Sequence, residues 1–538
     1  MKILVSANGF GGATSKSGVL AIPLVAATGT SASRDTAHLA EVDRRSGGGL
    51  TALRNVDDAS MKRFAFATAA AGSLPAEQLL FAGLGSAETL DRQTLLRWAA
   101  AVTRRLAGRD VRRLAIDATP IVAALKGDAP ALYANGGASF GPGLDARTKE
   151  RLDAGVLAVE LVVRGVIEGS FHEGLDGKGH VENFPAPLDL LEILLPSSCD
   201  IAAAKAAVRR SEIIADGTVR TKRWSNRPAN EMSPLGIAEE ARDRARAVGL
   251  RARIIGAKEL ERMGAGMLLA VGRGSDNPPC LVVLSGGAPR GRDPLGRRLA
   301  MVGKGVCFDT GGISIKPADG MEEMKMDKNG AIAVIEAAAT VAQLDPGRVI
   351  HAVAACVENM PSGHATRPGD VVTALNGKRV EITNTDAEGR LILGDALHFA
   401  ERDLGATHLI DVATLTGIAY SAFGGEVAGS CGTNPEFLAE THLAARRAGE
   451  VYWPYPLADA YAKNMETWSA DMQNSGTREA SLIRSGLFLR EFTTVPWVHL
   501  DIAGTAYRRS NAPWAGRGST GAAHSTLVEL AMGGGVRR

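Results

Sequence analysis

The fold is decided by a stretch that reads Val302-Gly303-Lys304-Gly305-Val306-Cys307-Phe308-Asp309-Thr310-Gly311-Gly312 and follows the apolar residues 299–301. The apolar run 299–302 predicts a strand buried on both faces, because no polar residue alternates with its apolar residues. The stretch then ends in an acid and two glycines, which permit a sharp turn. Strands of this kind belong to sheets covered by helices, and ligands bind at the carboxyl ends of such strands.

Segments typical of strands and helices alternate along the rest of the chain. The predicted strands are 79–85, 111–118, 250–256, 279–284, 349–357, 408–413 and 498–502, and the predicted helices are 90–107, 145–167, 330–344, 391–401 and 436–447. We therefore expect an α/β fold with two domains. A smaller N-terminal α/β domain would occupy residues 1–199, a connecting helix 200–225, and a larger C-terminal α/β domain with a central mixed sheet covered by helices 226–538.

The composition argues against several classes of protein. The 61 basic and 59 acidic side chains leave a formal net charge of +2, so no overall field favours nucleic acid or an anionic membrane. No apolar run approaches the roughly 18 residues that a membrane span needs, and the first residues lack the apolar core of a secretory signal. The five cysteines form no C-x-x-C pair, which is typical of a reducing cytoplasm rather than of a disulfide framework.

Acids stand beside apolar segments at three places. Asp309 ends the buried strand, Asp327 precedes the helix predicted from residue 330, and two more acids lie in Asn384-Thr385-Asp386-Ala387-Glu388-Gly389-Arg390-Leu391. Because alternate residues of an extended chain share a face, we expect Asp386, Glu388 and Arg390 to project together. Four acids without a paired-histidine motif suit two divalent ions that share a carboxylate.

The chemistry that such a pair of ions supports is hydrolysis by a water that bridges them. Lys316 follows the strand end and would stabilise the oxyanion that forms. Lys304, judged from its chemistry alone, would be a salt-bridge partner of one acid.

Two other functions use some of the same residues. A two-metal phosphoesterase would have similar ligands, but it needs several arginines or histidines around a phosphate, and only Arg390 and Lys316 are available. A DNA-binding role is permitted by the arginine pairs at 104–105, 112–113 and 209–210, although such pairs are usually solvated helix faces.

Four segments together resemble the leucyl aminopeptidase (cytosol aminopeptidase) family. They are residues 384–391, 302–309, 311–317 and 358–363, and they match the family's motifs in order and spacing over roughly the last three hundred residues. The first two hundred residues fit only the family's more variable amino-terminal domain. The resemblance implies a hydrolase, a metallo-exopeptidase that releases N-terminal amino acids from peptides, with residues 226–538 as its catalytic domain.

The resemblance also implies two divalent ions, usually zinc, with manganese or magnesium exchangeable at one position. The tighter ion would be held by Asp309, Asp386 and Glu388. The exchangeable ion would be held by Lys304, Asp309, Asp327 and Glu388, which corrects the salt-bridge interpretation of the lysine. A lysine ligand must be neutral, so the nearby metal charge would have to depress its pKa.

The remaining roles are implied in the same way. Lys316 would polarise the substrate carbonyl, Arg390 would hold a bicarbonate ion that relays a proton, and Asp327 would bind the free amine of the substrate together with the exchangeable ion. The residues implied for the side-chain pocket are Met324, Asn384, Thr414, Leu415, Gly417 and Ala503. Peptides would be the partners, and a hexamer built as a dimer of trimers is expected in the cytoplasm.

Three positions depart from the family pattern. Ala506 stands where some members carry a larger apolar residue, which predicts a roomier pocket. Lys328-Asn329 stands where methionine is usual, and Ala480-Ser481 where glycine is commoner. None of these positions is an implied metal ligand.

Overall fold

The computed structural model describes residues 1–13, 16–26, 32–55, 60–125, 153–172, 184–288, 291–293, 295–477 and 479–533. The chain forms two compact units, one of residues 1–216 with 511–516 and one of residues 217–510 with 517–538. The division falls inside the helix that the sequence predicts as a connector. The first part of the helix predicted at 145–167 lies outside the described residues.

The first unit is built on a six-stranded sheet. Its strands are β1 (Lys2–Ser6), β2 (Ser17–Ala26), β3 (Phe66–Ala70), β4 (Ala76–Ser86), β5 (Arg113–Asp117) and β6 (Leu190–Leu194), and its helices are α1 (Ala32–Arg45), α2 (Gly49–Asn55), α3 (Arg92–Arg104), α4 (Thr119–Leu125), α5 (Ala154–Gly169) and the start of α6 (Ile201–Asn226). The strand order is β1-β6-β5-β2-β4-β3, and every pair is parallel except β3 with β4. Trp98 and Phe81 are among its largest fully buried side chains.

The second unit contains an eight-stranded mixed sheet. The strands of this unit are β7 (Arg251–Gly256), β8 (Cys280–Gly286), β9 (Leu299–Asp309), β10 (Ile350–Asn359), β11 (Asp370–Thr373), β12 (Arg379–Ile382), β13 (His408–Ala413), β14 (Ala428–Gly432), β15 (Tyr452–Pro454), β16 (Met472–Gln473), β17 (Trp497–Asp501), β18 (Tyr507–Arg508) and β19 (Gly518–Ser519). The order in the large sheet is β15-β14-β17-β13-β9-β10-β8-β7, and the four neighbours β17, β13, β9 and β10 are parallel. Their carboxyl ends therefore meet at one edge.

Helices cover this sheet on both faces. They are α7 (Pro234–Val248), α8 (Ala257–Met263), α9 (Gly266–Gly272), α10 (Asn329–Leu344), α11 (Glu388–Leu404), α12 (Gly417–Phe423), α13 (Pro435–Ala448), α14 (Ser481–Arg490) and α15 (His524–Ala531). On one face α10 lies so close that a Cβ at Gly330 would stand 2.1 Å from the carbonyl oxygen of Val412 in β13. On the other face, residues of α9, α11 and α14 form one apolar core with Trp497. The mixed α/β fold predicted from the sequence is confirmed.

One local prediction is wrong. The sequence predicts an extended chain through Arg390, but α11 already begins at Glu388. A carboxylate in the first turn of a helix is stabilised by the positive end of the helix dipole.

No helix in the described ranges is long and apolar enough to cross a membrane.

Candidate active site

The acids predicted as metal ligands lie at the edge where the parallel strands end. Asp309 is the last residue of β9, and Glu388 opens α11; both side chains are buried. Asp327 is buried in the 3-10 helix Met321–Lys328, directly before α10. Asp386 lies in the turn before α11 with a third of its side chain exposed, at 33%.

Three of these acids form one group. Asp309, Asp386 and Glu388 each offer a carboxylate oxygen, and the three oxygens lie within 4.8 Å of one another. Carboxylates this close repel one another, and burial raises the pKa of Glu388 and of Asp386 above their usual values. A cation between them would relieve both effects.

Lys304 joins the fourth acid to this group. Its Nζ lies 2.8 Å from Oδ1 of Asp327 and 2.8 Å from Oε1 of Glu388, and it donates to the carbonyl of Thr414 at 2.8 Å. Burial would lower the pKa of this lysine, but the charges of Asp327 and Glu388 outweigh burial and hold the pKa above its usual value. Lys304 therefore forms the salt bridges that its chemistry alone suggests.

Lys316 contacts the same group of acids. Its Nζ lies 2.9 Å from Oδ2 of Asp309 and also contacts Oδ1 of Asp386. The charges of these acids hold the pKa of Lys316 above its usual value despite partial burial. The structure thus brings together Lys304, Lys316 and all four acids.

Buried oxygens without partners test whether this group fits metal ions. Oδ2 of Asp327 and Oε2 of Glu388 are buried and find no hydrogen-bond partner among the described residues. Burial raises the pKa of Asp327 to about 8, even though Lys304 opposes the shift. Unpartnered carboxylate oxygens beside a lysine and three other acids are the donor set that a divalent cation satisfies, so the residues fit the implied ions.

Arg390 lies elsewhere than the sequence predicts. Two positions along a helix turn the side chain by about 200° around the axis, so Arg390 does not share a face with Glu388. Its Nη1 donates to the carbonyl of Asn474 at 2.7 Å. Burial, and next the positive charge of Arg484, lower the pKa of Arg390 to about 10.

The residues implied for the side-chain pocket differ in their exposure and in their contacts with the acids. Thr414 is buried and donates from Oγ1 to Oδ1 of Asp327 at 2.6 Å. Asn384 accepts the backbone N–H of Asp386 at its Oδ1, at 2.9 Å. Met324, Asn384, Leu415 and Ala503 are partly exposed and Gly417 is exposed, whereas Ala506 is fully buried.

Asp501 organises part of this pocket and was not predicted from the sequence. Its Oδ1 accepts the backbone N–H groups of Leu415 at 3.3 Å and Ala503 at 3.2 Å, and its Oδ2 accepts the hydroxyl of Thr416 at 2.6 Å. It ends β17 just as Asp309 ends β9. The rule that identified Asp309 would also have found Asp501.

Two asparagines fix the loops that carry the acids, and the sequence predicted neither role. Asn359 ends β10 and donates from Nδ2 to Oδ1 of Asp309 at 2.8 Å. Asn474 is 1% exposed, accepts the N–H of Thr383 at 3.0 Å and donates to the carbonyl of Asn384 at 2.8 Å. Both contacts join segments far apart in the chain, so no local pattern marks them.

The chain is similar to known proteins of one family. The family model described as "Cytosol aminopeptidase family, catalytic domain" matches residues 219–528. A probable cytosol aminopeptidase of Gloeobacter violaceus is 43% identical over 332 residues, which cover 61% of this chain and 64% of that protein. One of Microcystis aeruginosa is 36% identical over 500 residues, 92% of this chain and 93% of that protein.

Solved structures extend the similarity to nearly the whole chain. A mutant of tomato leucine aminopeptidase superposes with a TM-score of 0.81 at 29% identity and covers 99% of this chain and 96% of its own. The bottromycin maturation enzyme BotP in complex with Mn gives 0.74 at 28% identity and covers 96% of this chain and 99% of its own. The motifs, the acidic site and these matches together show that the chain belongs to the cytosol aminopeptidase family of hydrolases.

Proposed function

We propose that the protein is a metal-dependent aminopeptidase that releases N-terminal amino acids from peptides by two-metal hydrolysis. One observation carries the proposal: Asp309, Asp386 and Glu388 place carboxylate oxygens within 4.8 Å of one another at the carboxyl edge of the sheet. Family membership supports the same conclusion, and so does the similar enzyme BotP, whose structure is a complex with Mn.

The proposed ligands divide into two sets that share two acids. Asp309, Asp386 and Glu388 would hold one ion, zinc in the first instance, and Lys304, Asp309, Asp327 and Glu388 would hold an exchangeable zinc, manganese or magnesium ion. Such ions polarise a carbonyl group and acidify water when bound. Lys304 can join the second set only as a neutral amine, so the ammonium group that contacts Asp327 and Glu388 must give up one proton.

The two basic residues of the site would act on the reacting groups. Lys316 keeps part of its side chain exposed, at 22%, and would turn its ammonium group from Asp309 towards the oxyanion that forms at the scissile carbonyl. Arg390 would hold a bicarbonate ion, because a planar guanidinium matches a planar oxyanion through two parallel hydrogen bonds. When bound, bicarbonate would supply a general base, and Arg390 would hold it in position.

Specificity for the end of the peptide would arise at Asp327. The free amine of the substrate would bind beside this carboxylate, and an internal peptide bond offers no amine there. The first side chain of the substrate would lie among Met324, Asn384, Thr414, Leu415, Gly417 and Ala503. Ala506 stands where some family members carry a larger apolar residue, so a roomier pocket that accepts residues larger than leucine is expected.

The proposal is tested by metal content and hydrolysis together. Asp309→Asn and Glu388→Gln are expected to lose at least one ion per chain and nearly all hydrolysis of an amino-acid anilide. Asp345→Asn is the matched control, because Asp345 pairs with Arg348 outside the site. Full metal content and full turnover in either site variant would contradict the shared-ligand arrangement.

Substrate choice separates this function from phosphoester hydrolysis. The protein should cleave an amino-acid anilide, leave the N-acetylated anilide intact and leave an aryl phosphate intact. Hydrolysis of the phosphate alone would overturn the aminopeptidase assignment.

We further propose a hexameric assembly, a dimer of trimers, in the cytoplasm. Light scattering at defined concentration measures the assembly, and a monomer would refute it.

A further inference from the structure

Two arginines hold a buried carboxylate on the 3-10 helix that carries Met324 and Asp327. The carboxylate belongs to Glu323, which directly precedes Met324 and is buried. Arg509 donates from Nε to Oε2 of Glu323 at 2.9 Å, and Arg517 donates from Nη2 to Oε1 at 3.2 Å. A buried carboxylate needs such partners, because an unpaired charge below the surface is costly. The 3-10 helix is therefore fixed directly beside one wall of the proposed side-chain pocket.

Arg509 extends from this carboxylate to a second wall of the pocket. Its guanidinium carbon lies 4.8 Å from the ring centroid of Tyr420, in α12. Tyr420 comes three residues after Gly417 in this helix, so the two residues lie on the same helix face. A guanidinium group over an aromatic ring is attracted by the electrons of the ring face. One arginine therefore joins the 3-10 helix of Met324 to the helix of Gly417.

The same two walls are also joined beside the acids. Thr414, three residues before Gly417, donates from Oγ1 to Oδ1 of Asp327 at 2.6 Å, and both residues are buried. Arg509 and Tyr420, by contrast, are 54% and 45% exposed. The buried contact thus fixes the base of the pocket, and the exposed pair joins the walls at the protein surface.

We propose that Arg509 is a positioning residue for the first side chain of the substrate. With Glu323 and Tyr420 it forms a rim bridge, which holds the two walls of the pocket at a fixed distance. This inference rests on the proposed aminopeptidase function and adds a determinant of its substrate range. A phenylalanine side chain is long enough to reach the rim and would bind less tightly without the bridge, whereas the methyl group of alanine would stay at the base.

The rim bridge differs from an ordinary surface ion pair in two respects. One partner, Glu323, is buried, so its negative charge depends on the arginines that contact it. The other partner, Tyr420, is an aromatic residue of a different element. Neutralising Glu323 does not require the contact with Tyr420, because Arg517 already donates to the second oxygen of the carboxylate. The contact between Arg509 and Tyr420 therefore points to a role in joining the two walls.

The experiment compares Arg509→Gln, Tyr420→Leu and the variant with both changes with the wild-type protein. Arg253→Gln is the matched control, because Arg253 in β7 is 55% exposed and pairs with Glu259 at 2.6 Å. KM and kcat are measured with the metal-loaded proteins for the anilides of alanine and phenylalanine, together with metal content. Hydrogen exchange followed by mass spectrometry reports, without any turnover, how often the backbone of residues 321–328 and 417–423 opens.

Loss of one ion pair and one contact with an aromatic ring should raise KM for the phenylalanine anilide about threefold to tenfold in Arg509→Gln. KM for the alanine anilide, kcat for both anilides and metal content should stay at wild-type values, because the base of the pocket is unchanged. Tyr420→Leu and the double variant should give the same rise, since residues of one bridge act as a unit. Backbone exchange should increase in both segments in these three variants, and Arg253→Gln should match the wild type.

An unchanged or lower KM for the phenylalanine anilide in Arg509→Gln would overturn the inference, as would an equal rise for both anilides, which a merely structural role predicts. If Arg509→Gln does not fold, the same two outcomes in Tyr420→Leu decide. Failure of the proposed function is a different result. A metal-loaded wild-type protein that cleaves neither anilide would refute the aminopeptidase, while hydrogen exchange would still report whether Arg509 joins the two segments.

Discussion

Replacing Asn474 with alanine should loosen the loop that carries two proposed metal ligands. Oδ1 of Asn474 accepts the N–H groups of Thr383 at 3.0 Å and Asn384 at 3.3 Å, and Nδ2 donates to the carbonyls of Asn384 at 2.8 Å and Ala387 at 3.3 Å. The amide therefore spans the residues on both sides of Asp386. It is almost completely buried, so water cannot replace it without rearrangement.

The size of the effect follows from these four contacts. Two are well formed and two are long, so the loss corresponds to about two buried hydrogen bonds. With unsatisfied buried partners costing about 1–3 kcal/mol each, Asn474→Ala should lower the free energy of unfolding by about 2–6 kcal/mol. Because the loop positions Asp386 and Glu388, metal affinity should fall about tenfold to a hundredfold, as expected when partners of metal ligands are removed.

Urea unfolding of the metal-free protein and competition with a chromophoric chelator measure the two effects. Asn376→Ala is the matched control: its amide donates to the carbonyl of Glu491 at 3.2 Å and accepts the N–H of Lys378 at 3.1 Å, away from the acids. We expect about 1 kcal/mol of destabilisation and unchanged metal affinity in this control. Metal affinity lowered equally in both variants, or in neither, would refute the positioning role of Asn474.

Three further predictions concern the frame of the second unit. Gly330→Ala should lower the free energy of unfolding by more than about 2 kcal/mol or prevent folding, because the new Cβ would stand 2.1 Å from a backbone oxygen. Gly363→Ala is the control in urea unfolding: a Cβ there meets open space, so stability should not change. Ala480 adopts φ 51° and ψ 28°, so Ala480→Gly should raise the free energy of unfolding by up to about 1 kcal/mol, and a loss of stability would contradict the strain. Burial raises the pKa of Asp395 to about 7, so between pH 4 and 7 the native state holds a proton that the unfolded chain has lost. The free energy of unfolding of the wild type, relative to that of Asp395→Asn, should therefore fall by up to about 4 kcal/mol as the pH rises from 4 to 7. Equal pH profiles for the two proteins would exclude a buried protonated acid.

The sequence predicted the parts of this protein that depend on short-range patterns. The apolar run before Asp309 predicted a central strand, and the position of the acid after it predicted the edge where the site lies. The helix from residue 330 was predicted within one residue, because its alanine-rich pattern agrees with burial on almost every side. Both results follow from local spacing, which tertiary contacts did not override.

What the sequence did not predict depends on where the chain bends and on contacts across the fold. Arg390 was misplaced because α11 starts at Glu388, where an acid is favourable in the first turn, so the extended pattern ends two residues earlier than expected. No role was predicted for Arg484, which is buried against a carbonyl of its own preceding loop. Burial of that kind is decided by packing and not by the residues beside it.

Uncharged donors hold two of the four acids in position. Asp309 accepts the amide of Asn359 and Asp327 accepts the hydroxyl of Thr414, at 2.8 Å and 2.6 Å. Neither donor changes charge when a cation arrives or leaves. Lys304 and Lys316, by contrast, contact the acids through charged ammonium groups. The neutral donors would therefore hold the carboxylates in position whatever the charge of the site, and the change is confined to Lys304, which would become a neutral ligand, and Lys316, which would turn towards the oxyanion.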